Sequence, residues 1–396
     1  NNISSYLSNQ IYDLVKNINT VNNGNLEQYI AEPTFSSNSI NISLKSNVGF
    51  YKFKTSSFTN VSITSNQISL NSITLFTPPT PSPVNWFTWD KTKITGLSNL
   101  GINANSREIV IPDICTGLSY DAFAKNTNIT SVNMSFSKIT SLEGSGGSSS
   151  GPFNSCTNLT KIIWPKNLSI IGNYTFYNCS KLVFNEFPST LNSIGWSSFS
   201  GCTSLSEITL PDNLSEIRNY AFSGTGIIDI TIKNNLSTLG EYIFYNCKKL
   251  KTAKIESTKI SILSGHIFQN CSNLTSVSIS SSIYNIDQYA FDGCSSLRTI
   301  NIPSSITIFN NYAFRNCFSL VSLEIPSKLS LIGNYCFAGC TSLSEITLPN
   351  TLNFIGDYAF NNMDNSSINV VIYVYSNDLE TQLRNSRFSG TIINFA

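Results

Sequence analysis

Cys202-Thr203-Ser204-Leu205-Ser206-Glu207-Ile208-Thr209-Leu210-Pro211, running on through Leu214 and Ile217 to Tyr220-Ala221-Phe222, is the stretch that decides the fold. From Glu207 to Leu210 polar and apolar residues alternate, which is the period of a strand with one buried face. Pro211 then removes a backbone donor where such a strand must stop. Leu214 and Ile217, three apart, are expected to point inward from a helical or 3₁₀ segment. Phe222 is expected to fill the interior on the far side of the coil.

The same register recurs along most of the chain. Phe stands at 123, 153, 176, 199, 222, 244, 268, 291, 314, 337 and 360, and after a first interval of 30 the steps are 22 to 24. Pro precedes that Phe by eleven residues at 112, 165, 188, 211, 303, 326 and 349. Tyr precedes it by two at 174, 220, 242, 289, 312, 335 and 358, and Gly by four at 172, 195, 240, 333 and 356. Self-similarity at one fixed period means coils that bury their apolar face against the next coil. Stacked coils place their strands about 4.8 Å apart in one parallel sheet, on the order of 50 Å long in all.

The five columns resemble the BspA-like (Treponema-type) leucine-rich-repeat family, whose turn reads roughly C-x-x-L-x-x-I-x-I-P-x-x-L-x-x-I-G-x-Y-A-F. The match covers about residues 101–363. Two turns depart from it. Phe222-Ser223-Gly224-Thr225-Gly226-Ile227 lacks the Cys and one residue, and the turn after Cys179 has Asn185 where Ile is expected. The resemblance implies an α/β repeat solenoid of about eleven 23-residue turns with a parallel concave β-sheet and terminal caps. It also implies an adhesion or protein-binding role on a cell surface or in secreted form.

The ends divide differently. Residues 1–83 read as a small α+β region: a helix over 1–18 carrying Ile3, Tyr6, Leu7, Ile11, Leu14, Val15 and Ile18 on one face, then strands within 38–77. Phe50-Tyr51-Lys52-Phe53 is one of those strand-like runs, and Pro78-Pro79-Thr80-Pro81-Ser82-Pro83 is a stiff linker. Residues 84–112, with a hairpin from Trp86 to Leu97, read as the N-terminal cap, 113–363 as the repeats and 364–396 as the C-terminal cap. The run Gly144-Ser145-Gly146-Gly147-Ser148-Ser149-Ser150 accounts for the long first interval as an inserted loop.

Composition narrows the function classes. A formal charge of +1 leaves no electrostatic footprint for nucleic acid or anionic lipid, and the fragment has no apolar run of 18 residues that would span a membrane. Charged residues are only 12%, about half the usual share, and Asn, Ser and Thr take their place, a surface common on exported proteins. A chain opening at Asn1 without Met reads as a mature or trimmed piece of an extracellular or surface protein.

Eight of ten cysteines, at 156, 179, 202, 247, 271, 294, 317 and 340, fall three residues after a repeat Phe. Only Cys336 and Cys340 approach a metal-ligand spacing, and no neighbouring His or second close pair completes a set, so no metal is expected. The cysteines are expected to be free, small buried residues. His266, the single histidine, occupies the Tyr column and is expected to be structural. Without a triad in register, a phosphate loop or a distinguished carboxylate pair, no enzyme and no cofactor is expected.

What remains is the outward face of the strands. Lys161, Ile163, Glu207, Thr209, Thr252, Lys254, Ser276, Ser278, Thr299, Asn301, Ser322, Glu324, Glu345 and Thr347 form the candidate partner-binding surface, mild and Ser/Thr-rich. The expected partner is a protein, from a host's extracellular space or a neighbouring cell's surface, met by a monomer. The alternative is a structural spacer or self-assembling surface element without a specific ligand. The Tyr column is expected to be partly buried against the next coil.

Overall fold

A computed structural model describes residues 34–36, 39–43, 60–64, 67–71, 81–104, 107–143, 150–233, 235–362 and 369–396. The expected helix over 1–18, the strand at 50–53, residues 78–80 of the linker and 144–149 of the Gly/Ser run lie outside them. Contacts divide the chain into two units, Asn1–Thr80 and Pro81–Ala396. In the first unit, Thr34–Ser36, Ser39–Ser43, Gln67–Asn71 and Asn60–Thr64 pair antiparallel in that spatial order.

The second unit is a parallel β-solenoid of about twelve coils. Its first face carries strands of three or four residues, such as Glu108–Val110, Ser131–Asn133 and Lys161–Ile163, paired in register. Asp229–Ile232, Thr252–Ile255 and Ser276–Ser278 continue it, and Glu345–Thr347, Val371–Val374 and Thr391–Asn394 close it. Inward residues such as Ile109, Val132, Ile230 and Ala253 are buried. Where a Pro follows the strand, its carbonyl accepts from the N–H three residues on, as in Leu214 to Pro211 and Leu329 to Pro326, so the proline opens a tight turn.

The second face corrects one expectation. Leu214 and Ile217 do point inward, but Glu216–Ile217 is a strand and not a helical or 3₁₀ segment. Two-residue strands recur here in every coil, from Ser141–Leu142 to Thr238–Leu239 and again from Ile262–Leu263 to Phe354–Ile355. The neighbouring coil offers N–H and C=O partners at each step, so the backbone is satisfied between coils and needs no helical bonds within one. Among the described residues α-helix is confined to Asn99–Asn103 and Asn377–Asn385.

The Phe column fills the interior. From Phe123 to Phe360 eleven rings stack with centroids 5.3 to 5.9 Å apart and planes within 1 to 19°. Both ends of the stack are closed by an edge-on ring: Phe87, from the hairpin Phe87–Asp90 and Lys93–Leu97, and Phe388, which follows the C-terminal helix. An edge-on ring stops a stack because it presents no parallel face for another.

The turn after Cys179 packs without the expected Ile. Asn185 is exposed, while Phe184 and Phe187 turn inward and join Trp164 and Phe199 in an aromatic cluster. Cavity filling by two rings thus replaces one aliphatic side chain.

Candidate functional site

Each repeated column has a structural task. Every thiol three residues after a Phe donates to the carbonyl of the Phe one coil earlier, from Cys156 to Phe123 through Cys340 to Phe314, at 3.0 to 3.2 Å. Where Cys is missing, Thr225 places its hydroxyl on the Phe222 carbonyl at 2.8 Å instead. All ten cysteines are buried and free. Burial pushes nine of the thiols up, among them Cys156 to about 12 and Cys247 to about 11, so at neutral pH these nine are inert protonated donors.

The Tyr column is a second ladder. Tyr220, Tyr242, His266, Tyr289, Tyr312, Tyr335 and Tyr358 stack with centroids 4.0 to 5.3 Å apart. Their backbones all lie in the left-handed region, with φ between 54° and 62°, unusual for aromatic residues. That conformation aims each N–H at the next coil, for example Tyr289 to the Asn311 carbonyl and Tyr312 to that of Asn334. Two residues earlier the coils approach closely: a Cβ on Gly333 would sit 2.5 Å from the Asn311 nitrogen, which explains the Gly column.

His266 sits in this ladder as expected, sandwiched between Tyr242 and Tyr289, with Nδ1 2.8 Å from Gln269 Oε1. Beside it runs a polar row. Gln269 donates to Asp292, and Arg315 donates to both Asp292 carboxylate oxygens at 2.7 and 2.8 Å while lying over the Tyr289 and Tyr312 rings. The Asp292 bonds raise the Arg315 pKa against the opposing pull of burial. With ring faces covered by one another, the ladder offers a ligand only edges.

The candidate surface lies on the first face. Of its fourteen residues Ile163 and Thr252 are half-buried and the rest exposed. The register places Thr252 beside Asp229 and Ser276, and Lys254 beside Thr231 and Ser278. Thr209 is held by a single bridge to Glu186, Asn301 by one to Ser278, while Ser322 and Glu324 belong to no strand.

One part of this surface is concave. A groove of about 510 Å³ lies between the segment Ile208–Leu210 and the strand Asp229–Ile232. Ile208, Leu210 and Ile230 line it together with Thr209, Thr231, Thr252, Asp229, Lys233 and Lys254. No backbone hydrogen bond joins Ile208–Leu210 to Asp229–Ile232; the neighbouring bond is from Ile228 to the Ser206 carbonyl. The coil that carries Asp229–Ile232 is one residue short, with 22 residues from Phe222 to Phe244. On the rim Lys233 pairs with Asp212 at 2.7 Å, and Thr252 donates to Asp229. Thr209, Thr252 and Lys254 were legible as candidates, whereas Asp229, Thr231 and Lys233 were not. The 22-residue interval from Phe222 to Phe244, shorter than those on either side, is the one mark this coil leaves in the sequence.

No group of three or more His, Cys, Asp or Glu residues suited to a metal ion occurs among the described residues. No helix there is long and apolar enough to cross a membrane.

The family description "BspA type leucine rich repeat region" matches residues 146–275 and 261–389, with six copies. A leucine-rich repeat protein from Bacteroides ovatus ATCC 8483 is similar in structure, with a TM-score of 0.55 and 23% identity, over 93% of this chain and 98% of that one. A leucine rich cell surface protein from Faecalibacterium prausnitzii A2-165 matches at 20% identity and TM-score 0.47, over 80% of this chain and 94% of that one. The pneumococcal vaccine antigen PcpA matches at 18% and 0.48, over 78% and 96%. The first of these likenesses shows the fold. No curated protein matches the chain.

Proposed function

Since the chain belongs to the BspA-type leucine-rich-repeat family, we propose that it is a non-catalytic binding module that acts at a cell surface or outside the cell and engages a protein partner through the first face of its solenoid. The groove between Ile208–Leu210 and Asp229–Ile232 is the observation that carries this reading. It combines an apolar floor with charged and hydroxyl groups on its rim, the make-up of a specific contact. The stacked interior holds that surface rigid, which lowers the ordering cost of binding.

Thr231→Trp fills the groove from a half-buried outward position, and Ser322→Trp adds the same bulk to an exposed position of the same face. Against a panel of purified extracellular-matrix proteins, the full chain is expected to bind at least one. Thr231→Trp is expected to abolish that binding and Ser322→Trp to leave it. Binding unaffected by either change, or no binding at all, overturns the reading.

A second reading, self-assembly, has its own observation. On the second face Ile308, Leu331 and Phe354 stand in register on adjacent coils, Phe354 exposed and the other two half-buried. Concentration-dependent association of the full chain, lost on Phe354→Ser, favours that alternative.

A further inference from the structure

The formal charge of +1 conceals one strongly basic coil. Between Tyr245 and Ile267 stand Lys248, Lys249, Lys251, Lys254 and Lys259 against Glu256 alone, five charges against one. The rest of the chain therefore carries a net negative charge. All five lysines are exposed, and none forms an ion pair among the described residues. Lys248, Lys249 and Lys251 lead into the strand Thr252–Ile255, Lys254 projects from it and Lys259 follows it.

The flanks shape this row. On one side the next coil has no charged residue from 271 to 286 and sets Ser276 and Ser278 beside Thr252 and Lys254. On the other side Asp229 is engaged by Thr252 and Asp212 by Lys233, so these two carboxylates already have partners. Glu256 is the opposing charge within the coil itself.

We propose that this coil is a docking site for a sulfated polysaccharide. Five cations spread along one coil exceed the reach of any small anion and call for repeated charges on one polymer. Lysine is a point charge with freely rotating donors, suited to sulfate, whereas paired carboxylates are better matched by the arginine fork, which this coil lacks. Base stacking would require aromatic rings beside the lysines, and the exposed positions of residues 248–259 and of the next strand hold none. The serine row supplies partners for sugar hydroxyls. This site overlaps the proposed protein contact at Thr252, Lys254, Ser276 and Ser278, whereas Lys248, Lys249, Lys251 and Lys259 lie outside that contact.

The test uses the full chain and a heparin-class sulfated chain, its desulfated form, a single-stranded oligonucleotide and polyglutamate. One variant combines Lys248→Ser, Lys249→Ser, Lys251→Ser and Lys259→Ser, all exposed and outside the groove lining. A charge-matched control combines Lys138→Ser, Lys166→Ser, Lys181→Ser and Lys328→Ser, all exposed. Unchanged thermal melting confirms that both fold. The unmodified chain is expected to bind the sulfated polymer with an affinity that falls as salt rises, and to bind the desulfated form weakly. The coil variant is expected to lose at least about tenfold in affinity and to flatten the salt dependence, while the control stays within about twofold. Equal losses in the two variants, equal binding of the desulfated chain, or equal or tighter binding of the oligonucleotide or polyglutamate overturns the proposal.

Discussion

The Phe and Tyr columns each supply one ring per coil, yet they do different work. The Phe rings are buried in the interior, on backbone that needs no unusual conformation, and their neighbours are apolar side chains and thiols. The Tyr rings, two residues away, are for the most part half-buried, sit on left-handed backbone and stack more closely than the Phe rings along much of their length. The inner ladder is held by removing apolar area from water and by close packing. Both columns donate their backbone N–H groups to the next coil, and the outer one adds left-handed backbone, closer ring stacking and an ion pair whose Asp292 is buried. A repeat position can therefore be conformational in its demand rather than hydrophobic, and the period alone does not distinguish the two.

Alkaline titration should strain the inner ladder most, because it acts on several coils at once. Beside the Phe rings, Cys156, Cys179, Cys202, Cys247, Cys271, Cys294 and Cys317 have pKa values raised by burial above the ordinary 9.0, Cys156 to about 12. As pH rises past 9 the unfolded chain loses thiol protons first, so stability is complete below pH 9 and is lost between about 9 and 12. Denaturant midpoints that stay level across that window would show that the thiols are not buried donors. In the same vein, a thiol reagent at neutral pH should react only after denaturation.

A single deletion in the same column comes next. Phe291→Ala opens a cavity between Phe268 and Phe314 and should cost about 3–5 kcal/mol in equilibrium unfolding, whereas a loss below about 1 kcal/mol would place that ring outside the core. On the outer ladder the largest effect belongs to its ion pair. Arg315→Ala leaves the buried Asp292 carboxylate with Gln269 as its remaining side-chain donor and should cost about 2–3 kcal/mol.

Tyr312→Ala removes one ring between Tyr289 and Tyr335 and should cost only about 1–2 kcal/mol, clearly less than Phe291→Ala. Equal costs for the two would erase the distinction between the ladders. The smallest effect is expected for His266→Tyr, which restores the residue of the neighbouring coils. Its stability change should stay within about 1 kcal/mol, with the tyrosine ring at the same place in the stack.

Much of this architecture could be read directly from residue spacing. Phe at intervals of 22 to 24 placed the inner ladder, and the substitution of His266 for Tyr marked it as a member of the outer one. The Cys column was legible as buried but not as a series of thiol donors, since a hydrogen bond to the preceding coil leaves no trace in one sequence. The second face was misread as helical because Leu214 and Ile217, spaced by three, fit a helix as well as a two-residue strand followed by a turn. The basic coil was legible in principle, as five lysines in twelve residues, but the overall charge near zero masked it.

The sequence by itself determined the coil: its period, its inward residues, its strand stop at proline and its family. Those follow from local chemistry repeated in register, which a single chain displays in full. Only the tertiary structure decided what adjacent coils do to one another. The left-handed tyrosines, the thiol-to-carbonyl bonds, the groove beside the shortened turn and the Asp292–Arg315 pair all join residues about 23 apart or more. Their geometry depends on how closely and in what register one coil seats on the next, and that is set by packing across the whole stack.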